Sequence, residues 1–358
     1  MKLHNRMFRH PADRPLTELE ESLQLRQTQR LNLEPRPQLS VVKLNSTFLE
    51  LTDSGYNWRG VITWFCAFAI AILGGGIGYG AIEHFLGATG LSVEVAKTPL
   101  WSVALEVVFA LLVAWIFSIP LRLESFSYTH YPIRFNRKAR KFYVFRPNGL
   151  HLVGNWDDLF FTLFRTPIWD EWTLIAHVMG ADKKTVVASF TLPATETLMP
   201  QDLNPAYTHN NTVFRQEDCL RGHWEFIRRY MEDGPQDLHH RVKFCIPISE
   251  HRETYRFGLE RLFANLSGAP KVAILALSPL ILLVSPFRAF AMRTSKTPVW
   301  SEDIDAECLV LPGDPYAIQG DIRGDKVKIF KSSTTTSIKQ DNPEREPTPS
   351  RKKSKRGR

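Results

Sequence analysis

Residues 60–82 read GVITWFCAFAIAILGGGIGYGAI, a run of 23 residues without one Asp, Glu, Lys or Arg. A helix needs about 20 apolar residues to cross the hydrocarbon core of a bilayer, so this run is long enough to span it with some tilt. A second run, residues 98–121, follows at once and holds a single charge, Glu106, which is expected to be protonated or paired with Thr63 or Tyr79. The two runs predict a transmembrane hairpin over residues 56–122, and the rest of the chain is interpreted around it.

Charge on the flanks of these runs predicts their orientation. The intervening residues 83–97 contain one Lys or Arg, whereas nine precede the first run. Seven more follow the second run, at Arg122, Arg134, Arg137, Lys138, Arg140, Lys141 and Arg146. Positively charged loops stay in the cytoplasm, so both termini are expected there.

Glycines cluster in the second half of the first run, where residues 73–80 read LGGGIGYG. The small residues are spaced four apart in two pairs, Gly74 with Gly78 and Gly76 with Gly80. This spacing lets helix backbones approach closely, so we expect it to pack on the second span or on a copy of the same span in a homodimer. A nucleotide-binding interpretation is poor because no strand of a soluble domain precedes the glycines.

A third apolar run, residues 272–287, is only 16 residues long and contains Pro279 and Pro286. It is short for a span, and a crossing here would put the basic C-terminus outside against the charge rule. We expect this segment to lie on or dip into the inner leaflet, or to pack in the soluble core.

The remaining sequence predicts an α+β domain over residues 123–330, on the cytosolic side. Two runs, 131–135 and 141–146, separated by a polar turn, predict a β-hairpin, and Pro147-Asn-Gly is a further turn signal. Residues 172–179 and 185–192 are two more strand candidates. Together they predict a curved antiparallel sheet of about five strands, reminiscent of pleckstrin-like modules.

Two helices are expected to follow this sheet. Apolar residues repeat at helical spacing from Leu220 to Met231, and again from Tyr255 to Leu266. The N-terminal arm, residues 1–55, is polar and proline-rich, so we expect it to be loosely ordered.

The tail, residues 331–358, is expected to be disordered and carries most of the net charge. Its nine Lys or Arg against three Asp or Glu give +6 of the total of +8, so the folded part is nearly neutral and nucleic acid is not an expected partner. One interpretation is contact with the anionic membrane surface, and the alternative is a solubilising end. The contact residues would be Arg351, Lys352, Lys353, Lys355, Arg356 and Arg358.

Few residues suggest chemistry. A zinc site could be assembled from Cys219, His223, His239, His240 and Cys245, but their spacing departs from the usual close ligand pairs. The acidic pairs Asp157-Asp158 and Asp170-Glu171 fit turn and capping roles. We therefore predict no enzyme activity, no metal and no cofactor, and the four scattered cysteines indicate reduced thiols.

Two segments carry a resemblance. The first is Pro286-Phe-Arg-Ala-Phe-Ala-Met-Arg-Thr-Ser-Lys-Thr-Pro-Val-Trp-Ser301, which is followed by Glu307-Cys308 and Pro312-Gly-Asp-Pro-Tyr316. The second is Tyr131-Pro-Ile-Arg-Phe-Asn-Arg-Lys-Ala-Arg-Lys-Phe-Tyr-Val-Phe-Arg146. Together they resemble an uncharacterised family of proteobacterial inner-membrane proteins, a domain of unknown function often encoded near type VI secretion spike and effector genes. The resemblance covers about residues 44–316 and implies a setting rather than an activity.

Two functions follow as expectations. The first is a non-enzymatic interaction protein of the bacterial inner membrane, an accessory or immunity protein of type VI secretion, whose partners are the lipid bilayer and a secreted effector or secretion component. The alternative is a membrane enzyme acting on lipid, which would use residues 272–287 with Asp157, Asp158, His223, His239 or His240.

Overall fold

The computed structural model describes residues 12–89, 99–166, 171–193, 208–209, 212–213, 216–249, 251–266, 271–321 and 328–331. Over these residues the chain is α+β, with two antiparallel sheets, a two-stranded ribbon and several helices. This confirms the predicted fold class. The single pleckstrin-like sheet is not what is found, because the strands divide between a seven-stranded and a five-stranded sheet.

The strands are numbered along the chain. They are β1 Arg14–Pro15, β2 Gln24–Leu25, β3 Val41–Leu44, β4 Phe48–Leu51, β5 Ile133–Asn136, β6 Lys141–Phe145, β7 His151–Asn155, β8 Leu159–Thr166, β9 Glu171–Met179, β10 Thr185–Thr191, β11 Thr208–His209, β12 Thr212–Val213, β13 Ile318–Asp321 and β14 Lys328–Lys331.

The helices are numbered in the same way. They are α1 Glu18–Ser22, α2 Val61–Ala69, α3 Gly75–Ala88, α4 Leu100–Ser125, α5 Gln216–Glu232, α6 Tyr255–Ala264, α7 Lys271–Thr294 and α8 Glu302–Glu307. A π-helical turn, Ile70–Gly74, joins α2 to α3 without a break. Short 3₁₀ turns cover Gln38–Ser40, Ser54–Trp58, Trp156–Asp158 and His239–Arg241.

The seven-stranded sheet joins three distant parts of the chain. Its order is β14-β13-β3-β4-β5-β6-β7, all antiparallel. Strands β3 and β4 precede the first apolar helix, β5 to β7 follow the second, and β13 follows the third. Backbone hydrogen bonds therefore join chain segments that are separated in the sequence by the apolar helices.

The N-terminal arm is an ordered part of this sheet, so the predicted loose order is wrong for its second half. Leu49 on β4 pairs with Leu44 on one side and with Phe135 on the other, and all three side chains are buried. The apolar residues Val41, Val42, Phe48 and Leu51 complete the two strands. Their burial stabilises β3 and β4. In the sequence the two strands are hard to recognise because prolines and polar residues surround them.

The main core lies between the two sheets and α5. The five-stranded sheet has the order β1-β10-β9-β8-β2. The Trp224 ring on α5 lies 4.3 Å from the ring of Phe161 on β8 and 5.8 Å from that of Trp156. The predicted periodicity of this helix is confirmed, and it ends before Gly234, whose φ of +100° suits glycine.

Local hairpins agree with the sequence. Strands β5 and β6 pair with Ile133 opposite Val144, and Gly149 in the following turn has φ +80°. Strands β9 and β10 occupy the two further predicted positions. These signals are carried by turn residues and alternating side chains, which act over a few residues.

Three helical stretches are long and apolar enough to cross a membrane: Val61–Ala88, Leu100–Ser125 and Lys271–Thr294. The first two pack antiparallel, since Phe65 contacts Phe117 and Gly74 approaches Ala110. Most of their outward side chains are apolar and exposed.

Helix α7 is longer than the apolar run that predicted it and has two unlike halves. Val272 and Leu275 are more than 70% exposed, whereas Ala291 and Met292 are buried against the domain. Both prolines lie inside the helix. Pro286 cannot bond the carbonyl of Leu282, and the Ser285 hydroxyl donates to that carbonyl instead at 3.0 Å, which helps the helix continue.

Two buried histidines make stability depend on pH. Burial and the nearby Arg59 charge lower the pKa of His130 to about 3, and burial lowers that of His223 to about 4. In the unfolded chain the two histidines bind protons near the ordinary pKa of about 6.5. The free energy of unfolding is therefore at its full value above that pH and falls as the pH drops below it. From pH 7 to pH 5 the loss is about 2 kcal/mol for each histidine.

Thermal unfolding in detergent at pH 5, 6 and 7 measures this dependence. The unfolding midpoint should fall with pH, and His223→Gln should reduce the slope by about half. A midpoint that is level between pH 7 and pH 5 contradicts the assignment.

Candidate functional site

Buried Arg288 of α7 forms an ion pair with Glu253, before α6, and hydrogen bonds to the chain that leads into α2. The Arg288 side chain is 1% exposed and makes two bonds to Glu253, at 2.7 Å to Oε1 and 2.8 Å to Oε2. Its third nitrogen donates to the backbone carbonyls of Tyr56 and Asn57 at 3.2 Å. Because the guanidinium is fully paired, this charge can remain buried.

Tyr56 and Arg261 extend the same cluster. The Tyr56 hydroxyl donates to Glu253 Oε2 at 2.6 Å, and burial together with the Glu253 charge raises its pKa, so it remains a donor at neutral pH. The Arg261 Nε donates to Asn57 Oδ1 at 2.8 Å. Helices α6 and α7 are thereby both bonded to the 3₁₀ turn that precedes α2.

A carboxylate from the end of α4 caps the start of α2. Glu124 accepts from the backbone N–H of Gly60 at 3.1 Å and of Thr63 at 2.5 Å, and also from the Thr63 hydroxyl. The first turn of a helix has unpaired N–H groups and a partial positive charge, which an acidic group satisfies. We call the set Tyr56, Asn57, Glu124, Glu253 and Arg288 the anchor junction.

A second feature is an open groove at the end of the seven-stranded sheet, beside β7. Its volume is about 720 Å³. It is lined by Tyr143, His151, Val153, Ser301, Asp303, Ile304, Ala306 and Glu307. We call it the β7 groove.

The acidic residues around the β7 groove are unequally neutralised. Glu307 accepts from Lys141 and from the Tyr143 hydroxyl, and these bonds lower its pKa. Asp305 pairs with Arg134 at 2.9 Å. Among the described residues, Glu302 and Asp303 have no ion pair, so α8 presents uncompensated negative charge at the rim of the groove.

His151 lies between the groove and an aromatic cluster. Its ring stacks on Trp300 at 5.4 Å and 28°. Burial lowers its pKa, so the ring is neutral at pH 7. Its Nε2 is buried and has no hydrogen-bond partner among the described residues.

Strand β7 is a free edge. Among the described strands it pairs with β6 alone, and its sequence His151-Leu-Val-Gly-Asn155 contains no proline and no Lys, Arg, Asp or Glu. Natural edge strands are commonly protected by such residues or by being very short. The edges of the five-stranded sheet follow that rule, since β1 and β2 have two residues each and β1 contains a proline.

The predicted glycine contact is found only in part. Of the four glycines, Gly74 approaches α4: a methyl group added at Gly74 would lie 3.8 Å from the Ala110 carbonyl oxygen. Gly76, Gly78 and Gly80 have no described atom within 4 Å of such a methyl group. These three positions are therefore open on that side, and the other predicted contact, with a copy of the same span, stays a prediction. The predicted tail contacts, residues 351–358, lie outside the described residues.

Glu106 bonds His84 rather than Thr63 or Tyr79, the partners that the sequence suggested. The Nδ1 of His84 lies 2.8 Å from its Oε1. Tyr79 instead bonds Glu83 one helical turn away. Thr63 is at the opposite end of the antiparallel pair from Glu106, which explains the difference.

The residues considered for zinc or for lipid chemistry are dispersed. His223 Nδ1 lies 3.1 Å from the Arg36 carbonyl oxygen, and His239 Nδ1 lies 2.9 Å from the Gln236 carbonyl oxygen. Asp157 pairs with Arg140. In the part of the chain that the structure describes, no three His, Cys, Asp or Glu residues are grouped closely enough to hold a metal ion.

The anchor junction requires glycine at position 60. Gly60 has φ +93°, and a methyl group there would lie 2.4 Å from the Cα of Arg288. Gly60→Ala should destabilise the protein by ~2 kcal/mol or more, through left-handed strain and backbone overlap. The matched change Gly75→Ala lies in open space on the same apolar stretch and should be neutral or stabilising.

Thermal unfolding and expression level in detergent extracts compare the two variants. Equal unfolding midpoints for Gly60→Ala and Gly75→Ala would mean that the close approach to α7 is not required.

Comparison with known proteins assigns the family. The model of DUF6708, a family of unknown function, matches residues 110–312, which is more than half of the chain. The match includes the β7 groove but not β3, β4 or the first apolar helix. Neither the curated proteins nor the solved structures include a match. The chain belongs to the DUF6708 family.

Proposed function

We propose that this protein is a non-enzymatic binding protein of the bacterial inner membrane. In this proposal α2–α3 and α4 form a transmembrane hairpin. The α+β domain lies on the cytoplasmic side and holds an extended segment of a partner protein along β7. The unprotected β7 edge beside the β7 groove is the observation that carries the binding function.

The sheet supports the hairpin. A hydrogen-bonded sheet cannot have neighbouring strands on opposite faces of a bilayer, so paired strands lie on one side. Strands β4 and β5 pair over four residues and flank the first two apolar helices. The number of crossings between them is therefore even, which two spanning helices satisfy.

The same argument applies to α7, which is a single helix. Strand β13 follows α7 and pairs with β3, and the Trp300 Nε1 donates to Glu50 on β4 at 3.1 Å. One full crossing would separate these partners. The exposed apolar first half of α7 instead suits the cytoplasmic leaflet, which is one of the two positions expected for residues 272–287.

Charge and aromatic residues support the orientation. The excess of Lys and Arg before α2 and after α4 favours a cytoplasmic domain with both termini inside. Phe126 and Phe290 are about half exposed and contact each other where the helices meet the domain. Aromatic side chains favour the membrane interface at this level.

Strand addition is the proposed mode of partner binding. An edge strand offers unpaired N–H and C=O groups to an extended peptide, and neighbouring pockets select its side chains. The β7 groove adjoins the edge, and Val153 on β7 is 47% exposed. The free charges of Glu302 and Asp303 favour a segment that carries Lys or Arg.

The setting comes from the sequence resemblance. Related proteins encoded near type VI secretion genes suggest that the partner is a secreted effector or a secretion component. The protein would then be an accessory or immunity protein. Neither role requires catalysis.

Site-specific crosslinking tests this function in intact cells. A photoreactive phenylalanine at Val153 should crosslink one protein encoded in the neighbouring secretion gene cluster. The same residue at Val187, which is 49% exposed on β10, is the matched control and should give no such product. Asp303→Lys should reduce the Val153 crosslink several-fold, whereas Asp237→Lys, at an exposed residue outside the groove, should not.

Equal crosslinking at Val153 and Val187 would mean that β7 is not the binding edge. A Val153 crosslink to a protein unrelated to secretion would contradict the proposed type VI secretion setting, whereas β7 would still be the binding edge.

A further inference from the structure

We propose that a second, basic pocket of this domain binds the phosphate group of an anionic ligand at the membrane end of the domain. The pocket has a volume of about 550 Å³. It lies between the chain before β3 and the chain that leads from α5 toward α6. Its lining residues are Glu34, Pro35, Arg36, Pro37, Gln38, Leu39, His240, Arg241, Lys243 and Phe244. This basic pocket is separate from the β7 groove and shares no lining residue with it.

Positive charge predominates in the basic pocket. Arg36, Arg241 and Lys243 outnumber the single acidic residue, Glu34, which pairs with Arg241 at 2.8 Å. The Arg241 Nε is buried and makes no hydrogen bond within the described residues. An unpartnered buried donor in a native protein commonly marks a bound water or ion.

The shape of the pocket wall is fixed by the backbone. Gln38 has φ +47°, an uncommon conformation for a residue other than glycine. The conformation is held by hydrogen bonds to α5, from the Arg36 N–H to the Gly222 carbonyl at 2.9 Å and from the Gln38 side chain to the Cys219 carbonyl at 3.4 Å. Since backbone strain of this kind clusters at binding sites, it supports a preformed site rather than a surface loop.

Hydrogen bonds connect the wall of the basic pocket to the chain that enters the first apolar helix. The carbonyl of Leu39 accepts from Arg261, whose Nε donates to Asn57, three residues before Gly60. The Thr52 N–H also donates to the Ser40 carbonyl at 2.9 Å, so the pocket wall lies level with the end of β4. In the proposed topology this is the depth of the lipid headgroups.

Arg261 adds charge behind the pocket wall. Its side chain is buried, and among the described residues no carboxylate lies within ion-pair distance of it. Burial and the charge of Arg288 lower its pKa to about 10, so it remains protonated at pH 7. An anion in the basic pocket would lie close to this cation, which donates to the Leu39 carbonyl of the pocket wall. Phosphate is bound both by planar guanidinium groups, in bidentate fashion, and by lysine as a point charge, so it suits a pocket that contains both.

Binding to the full-length protein in uncharged detergent tests the proposal. Three probes are titrated: dihexanoyl phosphatidylglycerol, dihexanoyl phosphatidylcholine and glycerol phosphate. The thermal midpoint and native mass spectrometry report binding. Phosphatidylglycerol should raise the midpoint, and 0.5 M salt should remove most of the effect. Phosphatidylcholine should have little effect because its headgroup has no net charge.

Two variants locate the site. Lys243→Glu, at an exposed residue of the pocket, should weaken binding at least fivefold, on the basis of about fivefold per charge near the binding surface. Lys184→Glu makes the same charge change at an exposed residue of the β9–β10 turn and should leave the affinity unchanged. Arg36→Gln is a second pocket variant, and the unliganded midpoint reports its folding.

Each outcome is decisive. Stabilisation by phosphatidylglycerol but not by glycerol phosphate supports a lipid headgroup site. Stabilisation by both, with equal loss in Lys243→Glu, supports a site for soluble phosphate compounds. Absence of binding by either probe, or equal losses in Lys243→Glu and Lys184→Glu, overturns the proposal.

Discussion

The ladder of backbone hydrogen bonds through β13, β3, β4 and β5 is the constraint on which the rest of this structure depends. It unites strands from before the first apolar helix, after the second and after the third. A sheet of this kind fixes which helices are able to cross a bilayer, because each pair of neighbouring strands must share one side. Two helices between β4 and β5 satisfy the rule as a hairpin, whereas α7 on its own does not.

Polar bonds at the anchor junction attach the apolar helices to the sheet. Arg288 is enclosed by Glu253 and by three backbone carbonyls, and Glu124 satisfies the N–H groups at the start of α2. Removing one partner of a buried ion pair typically costs 3–5 kcal/mol, so such a cluster holds one geometry strongly. The helices and the domain therefore act as one body, and in the proposed topology the β7 groove and the basic pocket have fixed positions relative to the membrane.

Sequence reasoning found the features whose signals are local. The two apolar runs, the β5–β6 hairpin and the periodicity of α5 are each encoded within a few adjacent turns or strands. Strands β3 and β4 form a local hairpin but were missed because the surrounding sequence is polar and rich in proline. Their other partners are about 85 residues later in β5 and more than 260 residues later in β13. The Ser285 hydroxyl, which helps α7 continue through Pro286, makes a hydrogen bond that a hydropathy pattern does not record.

The candidate sites were less predictable than the fold. The β7 groove and the basic pocket are each built from segments far apart in the sequence, and neither contains a recognised motif. The absence of charged residues and proline from residues 151–155 was the one signal that could have identified the free edge. For the glycine run, an added methyl group lies within 4 Å of a described atom of α4 at Gly74 but not at Gly76, Gly78 or Gly80, and the predicted contact with a copy of the same span stays a prediction.

Cysteine accessibility on the two sides of α7 tests the central claim most directly. All four native cysteines are buried, so single cysteines at His251, before α7, and at exposed Val299, after it, give a clean readout with an impermeant thiol reagent. The account predicts that both are protected in intact cells and both react after the inner membrane is opened, while a cysteine at Ser92 reacts from outside. Reaction of the Val299 position from outside, with His251 protected, would mean that α7 crosses the membrane and would contradict the account.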